Sequence, residues 1–226
     1  MKHVYLFGPK ITQGNAKQIK ILGGKGANLA EMSNLGIPVP PGFTITTDIC
    51  NSFLEKGKFN KNEIKNIIQA LHVIEEKTKK KLGDPTNPLL LSVRSGAKIS
   101  MPGMMETVLN IGLTSKTIPG LIKKTNNEKF VYDSYRRLIM MYADVVMEKA
   151  EQKNNICIRE KLETNLQKMK NQYNIINDSD LEVFHLKKII TQFKKIIKNN
   201  FEQEFPDSAN AQLWGAVEAV FKSWNG

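Results

Sequence analysis

Three short stretches of this 226-residue chain gather residue types that suit a phosphate or another anion. In the first, Gly23-Gly24-Lys25-Gly26 stands directly before a run with helical spacing. Glycine lets the backbone come close to a ligand. A helix N-terminus offers unpaired N–H groups and a partial positive charge, and a lysine adds a point charge. The spacing is not that of a P-loop, because Ile19 and Gly26 stand where that motif needs its first Gly and its Ser or Thr. The same residues also fit a plain loop with a surface lysine. In the second stretch, Arg94 follows the apolar run Leu89-Leu90-Leu91-Ser92-Val93 and opens Ser95-Gly96-Ala97-Lys98-Ile99-Ser100-Met101-Pro102-Gly103-Met104-Met105-Glu106-Thr107. Ligands of open α/β sheets bind beyond the carboxyl ends of strands, and guanidinium offers a planar fork that suits phosphate. Met101, Met104 and Met105 are soft, unbranched side chains that can cover a flat ring such as a base, or equally plug a core. The third stretch is Tyr132-Asp133-Ser134-Tyr135-Arg136-Arg137. Adjacent helix positions face different ways, so one arginine can meet a ligand while the other is solvated or pairs with Asp133.

Other chemistry lacks its parts. No Ser–His–Asp pattern is present, and His3, His72 and His185 are scattered. Cys50 and Cys157 form neither a CxxC nor a disulfide framework. Phosphoryl transfer needs Mg²⁺ held by oxygen ligands, yet Glu106 is the only acid inside the second stretch. We therefore expect no metal ligands in this chain. The formal net charge of +11 invites a nucleic-acid reading, but only four of the 33 basic residues are arginine: Arg94, Arg136, Arg137 and Arg159. Lysines spread over helix surfaces are ordinarily a solvated face, so nucleic acid is not expected as a partner. No apolar run approaches the roughly 18 residues of a membrane span, and the first residues do not read as a secretory or transit signal. These features predict a cytoplasmic location with no membrane contact.

The elements that position these stretches follow from Gly and Pro usage. Residues 1–112 hold 12 of the 15 Gly and 7 of the 9 Pro, so the first half is rich in turns and the second mostly helical. Val4–Phe7 reads as a strand, Ala27–Leu35 as a helix stopped by Gly36, and Phe43–Thr46 as a strand. Thr47 reads as the N-cap of a helix through Lys56, ended by Gly57. Ile64, Ile67, Ile68, Leu71, Ile74 and Leu82 predict a helix over 61–82, and Leu89–Val93 a buried strand. Alternating strand and helix predict an α/β layer. Beyond Leu113, helices are expected near 128–149, 157–172, 180–200 and 208–224. Trp224-Asn225-Gly226 follow the last helix at once, which reads as a chain that continues.

Together, Leu22–Met32, Gly36–Thr44, Ser92–Ala97, Ser100–Thr107, Tyr132–Arg137, the stretch from Met141-Tyr142 to Met147-Glu148, and Gly215–Trp224 resemble the N-terminal part of the pyruvate, phosphate dikinases. The likeness covers nearly the whole chain and is weakest over 150–205. It implies an α/β (α+β) fold, the first lobe of an ATP-grasp domain. Residues 1–112 plus 201–226 would form its first subdomain, with a helical subdomain inserted at 113–200. It further implies ATP and Mg²⁺ as cofactors. Inorganic phosphate and the phosphohistidine and pyruvate/phosphoenolpyruvate domains of the complete protein would be partners, with a homodimer as the full-length form. Lys25 and Arg94 would act on the ATP phosphates as catalytic residues. Gly23, Gly24, Ser95, Met101, Gly103, Met104, Met105 and Arg137 would complete the nucleotide site. The metal ligands, carrier histidine and pyruvate site would follow Gly226, so the chain alone should not turn over. A rival dikinase-class reading is another dikinase such as a phosphoenolpyruvate synthase, and a further rival is a stand-alone nucleotide-sensing module. A rival of another class is a non-catalytic basic helical binding protein.

Overall fold

The strands do not join into one sheet. In the computed structural model, which describes residues 2–95, 107–148 and 157–225, they pair as three separate two-stranded ribbons. The mixed α/β class is as expected, but a continuous α/β layer does not form among the described residues. By contacts the chain divides into two units, the first built from 1–80, 94–106 and 220–226, the second from 81–93 and 107–219. The boundary expected at 112/113 thus falls inside the second unit.

In the first unit, β1 (Val4–Phe7) pairs antiparallel with β2 (Gly42–Ile45), Val4 opposite Ile45 and Phe7 opposite Gly42. A Cβ at Gly42 would stand 2.4 Å from the Phe7 ring, so the glycine lets that ring lie across the ribbon. The ribbon packs against α1 (Ile19–Asn34) and α3 (Lys61–Thr78), and α1 against α2 (Thr47–Lys56). Leu22, Ala27, Ala30, Ile49, Cys50, Phe53, Ile67, Leu71 and Ile74 are buried here. Phe53 also meets Phe59 and Phe221 at ring-centroid distances of 4.7 and 5.6 Å, so the last residues of the chain complete this core. Burial pushes the Cys50 thiol up to about 12, which leaves it protonated and unreactive.

Several boundaries move from their sequence positions for identifiable reasons. Thr46, not Thr47, occupies the cap of α2, and the Thr47 hydroxyl instead donates to the Lys20 carbonyl at 2.7 Å. Helix α3 stops at Thr78, four residues early. Lys79 turns left-handed (φ 54°) and Leu82 is drawn into β3 (Lys81–Leu82), which pairs in parallel with β4 (Pro88–Leu89). Ile64 and Ile68 stay exposed, and the buried stripe of α3 is Ile67, Ala70, Leu71 and Ile74. The apolar run expected as one strand splits into β4 and β5 (Leu91–Val93), and β5 pairs antiparallel with β6 (Val108–Ile111).

The second unit holds β3–β6 and the remaining helices: α4 (Ile118–Thr125), α5 (Glu128–Tyr142), α6 (Ile158–Gln172), α7 (Val183–Phe201) and most of α8 (Ala209–Lys222). A π-helical turn, Ala143–Glu148, extends α5. Helix α7 lies against α5 and α6, and α5 against β6. The period-3.6 apolar positions Val131, Tyr135, Leu138, Ile139 and Tyr142 of α5 meet a core that includes Leu186, Ile189, Phe193 and Ile197. Helix α8 is fixed to the β6–α4 junction by Gln212, whose fully buried amide accepts from the Gly112 N–H (2.9 Å) and donates to the carbonyls of Leu113 (3.1 Å) and Pro206 (2.9 Å).

Candidate nucleotide site

Helix α1 is not one continuous helix. Gly23 sits at φ 68°, ψ 170°, a conformation essentially reserved for glycine, and divides α1 into a leading turn and a longer helix. Gly24, Lys25 and Gly26 therefore form the first turn of that second helix, whose N–H groups lack intrahelical partners. The first piece is held from behind. Asn15 and Gln18 cap the preceding turn, Glu31 accepts from the Ala16 N–H at 3.0 Å, and Thr47 takes the Lys20 carbonyl just before the break. Gly26 is a packing requirement of the same turn. A Cβ there would stand 2.8 Å from Thr44 Cγ2, so its absence lets the helix settle on β2. With Gly23 and Gly26 buried beneath it, Lys25 is turned outward and exposed.

Arg94 follows directly on β5 and is exposed, its side chain without a hydrogen bond or ion pair to any described residue; the same holds for the Lys25 side chain. Both cations belong to the first unit. An exposed cation without a carboxylate partner keeps its full charge for an external anion, and this is the property a polyphosphate site requires. Ser95, expected in the nucleotide site, is buried, and its Oγ accepts from the Trp224 indole N–H at 3.2 Å. That bond ties the residue next to Arg94 to the C-terminal turn of the chain. Met101, Gly103, Met104 and Met105 lie outside the described residues.

The two adjacent arginines of α5, in the second unit, separate as helical geometry demands. Arg136 is buried. Its Nε and Nη2 donate to Asp133 Oδ1 at 2.9 and 2.7 Å, and Nη2 also reaches Asp178 Oδ2 at 3.2 Å. Lys170 Nζ donates to the other Asp178 oxygen at 2.9 Å. Burial works to raise the Asp178 carboxyl, but the Lys170 hydrogen bond and the surrounding positive charges hold it below the ordinary carboxylate value. Arg137 is exposed and gives only its Nε, to Asp133 Oδ2 at 2.7 Å; that hydrogen bond strengthens its protonation. It borders a depression of about 320 Å³ shared with Asn127, Lys129, Phe130 and Asp178 among others. Sequence alone allowed either arginine to face a ligand. The structure commits Arg136 to carboxylates and leaves the Arg137 terminal nitrogens unpartnered among the described residues.

Asp178, Lys170 and Trp224 escaped sequence reasoning as parts of these arrangements. Asp178 lies 42 residues from Arg136 and Trp224 lies 129 from Ser95, whereas Lys170 enters only through Asp178, and no local motif marks these pairings. Among the described residues no group of three or more His, Cys, Asp or Glu side chains gathers to hold a metal ion.

Comparison with known proteins gives the family. The family model described as pyruvate phosphate dikinase, AMP/ATP-binding domain, matches residues 19–78, which contain the Gly23 break and Lys25. The chain is similar to pyruvate, phosphate dikinase of Clostridium symbiosum (46% identity over 218 residues, 96% of this chain and 24% of the relative). It is similar also to the chloroplastic pyruvate, phosphate dikinase 1 of Arabidopsis thaliana (44% over 225 residues, 99% and 22%) and to the enzyme of Rhizobium meliloti (43% over 224 residues, 99% and 24%). The chain spans about a quarter of the length of these relatives. It belongs to the pyruvate, phosphate dikinase family and corresponds to the ATP/AMP-binding N-terminal domain of those proteins.

Proposed function

We propose that this chain supplies part of the ATP site of a pyruvate, phosphate dikinase. The complete protein would convert ATP, inorganic phosphate and pyruvate into AMP, pyrophosphate and phosphoenolpyruvate through a phosphohistidine. The observation that carries this reading is the pair of exposed, unpartnered cations Lys25 and Arg94, in a chain of this family. Lys25 and Arg94 contact the phosphates of ATP, and Arg137 is a third phosphate contact. Positive groups fixed before the reaction stabilise charge that develops on the transferring phosphoryl group. Gly23 and Gly24 shape the helix start beneath the phosphates. Ser95 acts by holding the Arg94 backbone, and Met101, Gly103, Met104 and Met105 close over the nucleotide. Mg²⁺ is held by carboxylates outside this chain, as are the carrier histidine and the pyruvate site. The chain alone binds nucleotide without turning over, and the complete protein is a cytoplasmic homodimer.

Calorimetric titration with MgATP tests the site. Weak binding by the wild type that is lost in both Lys25→Ala and Arg94→Ala supports the assignment. Binding untouched by either substitution refutes it. Steep salt-dependent DNA binding unaffected by Arg94→Ala would instead favour a basic binding protein.

A further inference from the structure

Behind the exposed Arg137 runs a chain of alternating charges: Lys170, Asp178, Arg136, Asp133, Arg137. Its inner part is sheltered, with the Lys170 and Arg136 side chains 11% and 3% exposed, whereas that of Arg137 is 61% exposed. Asp133 is the pivot. One carboxylate oxygen is gripped by two nitrogens of the buried Arg136, and the other accepts from Arg137 Nε. An isolated exposed pair four residues apart on a helix restrains little. Here the carboxylate is itself clamped, so the bond fixes the Arg137 guanidinium at its Nε edge and leaves the two Nη groups as an open fork. Two parallel N–H donors are the arrangement that meets two oxygens of one phosphate.

We propose that Asp133, held by Arg136, is a positioning residue that presets the Arg137 fork for a phosphate oxygen pair. The inference rests on the nucleotide reading of Arg137. Charge and geometry predict opposite signs for its test. Asp133→Asn removes a negative charge beside Arg137, so simple attraction predicts tighter anion binding. Asparagine, however, offers a single acceptor oxygen, and the buried Arg136 takes it because an unpaired buried guanidinium is the costlier outcome. Arg137 is then released and must be reordered on binding.

The experiment is a double-mutant cycle on the whole chain: wild type, Asp133→Asn, Arg137→Ala and the double variant, each titrated with MgATP by calorimetry. Asp133→Asn weakens binding by about three- to tenfold, the scale expected when a charge-assisted contact loses its preset geometry. The same substitution has no further effect in the Arg137→Ala background. Additive losses, or tighter binding by Asp133→Asn, overturn the proposal. If Lys25→Ala and Arg94→Ala weaken binding while Arg137→Ala does not, the nucleotide reading stands and the positioning role falls. A nucleotide-free arm follows the arginine Nε–H resonances by NMR. The Arg137 signal should exchange slowly in the wild type and quickly in Asp133→Asn, while that of Arg136 persists. Equally fast exchange in both proteins overturns the proposal even where no nucleotide binds.

Discussion

Gln212→Met is the substitution whose cost can be worked most directly from the structure. The glutamine is fully buried and satisfies three backbone groups, the Gly112 N–H and the carbonyls of Leu113 and Pro206. Its amide orientation is fixed, since a flipped amide would face donor to donor and oxygen to oxygen. Methionine keeps nearly the same length and fills the space, so the cavity contribution is small. What remains is three polar groups without their partner. An unsatisfied buried group costs about 1–3 kcal/mol, the N–H more than a carbonyl that retains a second lone pair. Taking about 2 kcal/mol for the N–H and less for each carbonyl gives a loss of about 3 kcal/mol. That is a large share of the roughly 5–15 kcal/mol by which domains are stable. At this chain size it corresponds to a fall in Tm of about 6–12 °C. Urea unfolding followed by far-UV circular dichroism, with Gln212→Met beside wild type, reads it directly. A loss under about 1 kcal/mol would show that the amide network adds little to the attachment of α8, and the reasoning would fail.

Two further outcomes follow from the geometry. Gly26→Ala places a methyl 2.8 Å from Thr44 Cγ2, so it should destabilise by about 1–3 kcal/mol, with partial rescue by adding Thr44→Ala; equal loss with and without the second change would rule out this packing account. The Asp207 carboxyl is raised by burial but held, on balance, below its ordinary value of 3.8 by bonds from Ser115 and Tyr135 and by the Lys194 charge. A depressed folded-state pKa gives stability that is present above the unfolded value and lost as pH falls through the folded one. Stability should therefore drop as pH is lowered through and below about 4, and Asp207→Asn should flatten that part of the curve in urea titrations at a series of pH values.

Elements whose ends are written in local chemistry were legible in the sequence. Helix α2 ends at the Gly57 that announces its end and starts within one residue of the expected cap, and α5, α6 and α7 fall within a few residues of their expected places. What was hidden depends on partners distant in sequence. Helix α4 went unseen because it opens Ile118-Pro119-Gly120, residues that read as a loop. The glycine is there because a Cβ would strike the Pro85 carbonyl. Leu82 fits the helical period of α3 but is claimed by pairing with Leu89. The Gly23–Gly26 stretch was read as standing before a helix from Ala27; the structure breaks α1 at Gly23, whose backbone only glycine accepts, and takes Gly24–Gly26 into the helix. The spacing of Arg136 and Arg137 showed that they must diverge. Arg136 is the one that meets Asp178, 42 residues away in the sequence and unmarked by any motif. The bond from the Trp224 indole to Ser95 was hidden because nothing nearby in the sequence announces it.

The aromatic cluster of the first unit has a consequence for synthesis on the ribosome. Phe53 and Phe59 are made early, but the ring that closes over them, Phe221, emerges only after the whole second unit has been translated. Domains generally fold as they emerge from the ribosome. The first unit must therefore wait with part of its core uncovered while the intervening helices form. During that interval Phe53, Phe59 and their neighbours are available to chaperones, and nascent chains arrested before Phe221 should be markedly more sensitive to protease within residues 2–80 than chains arrested after it.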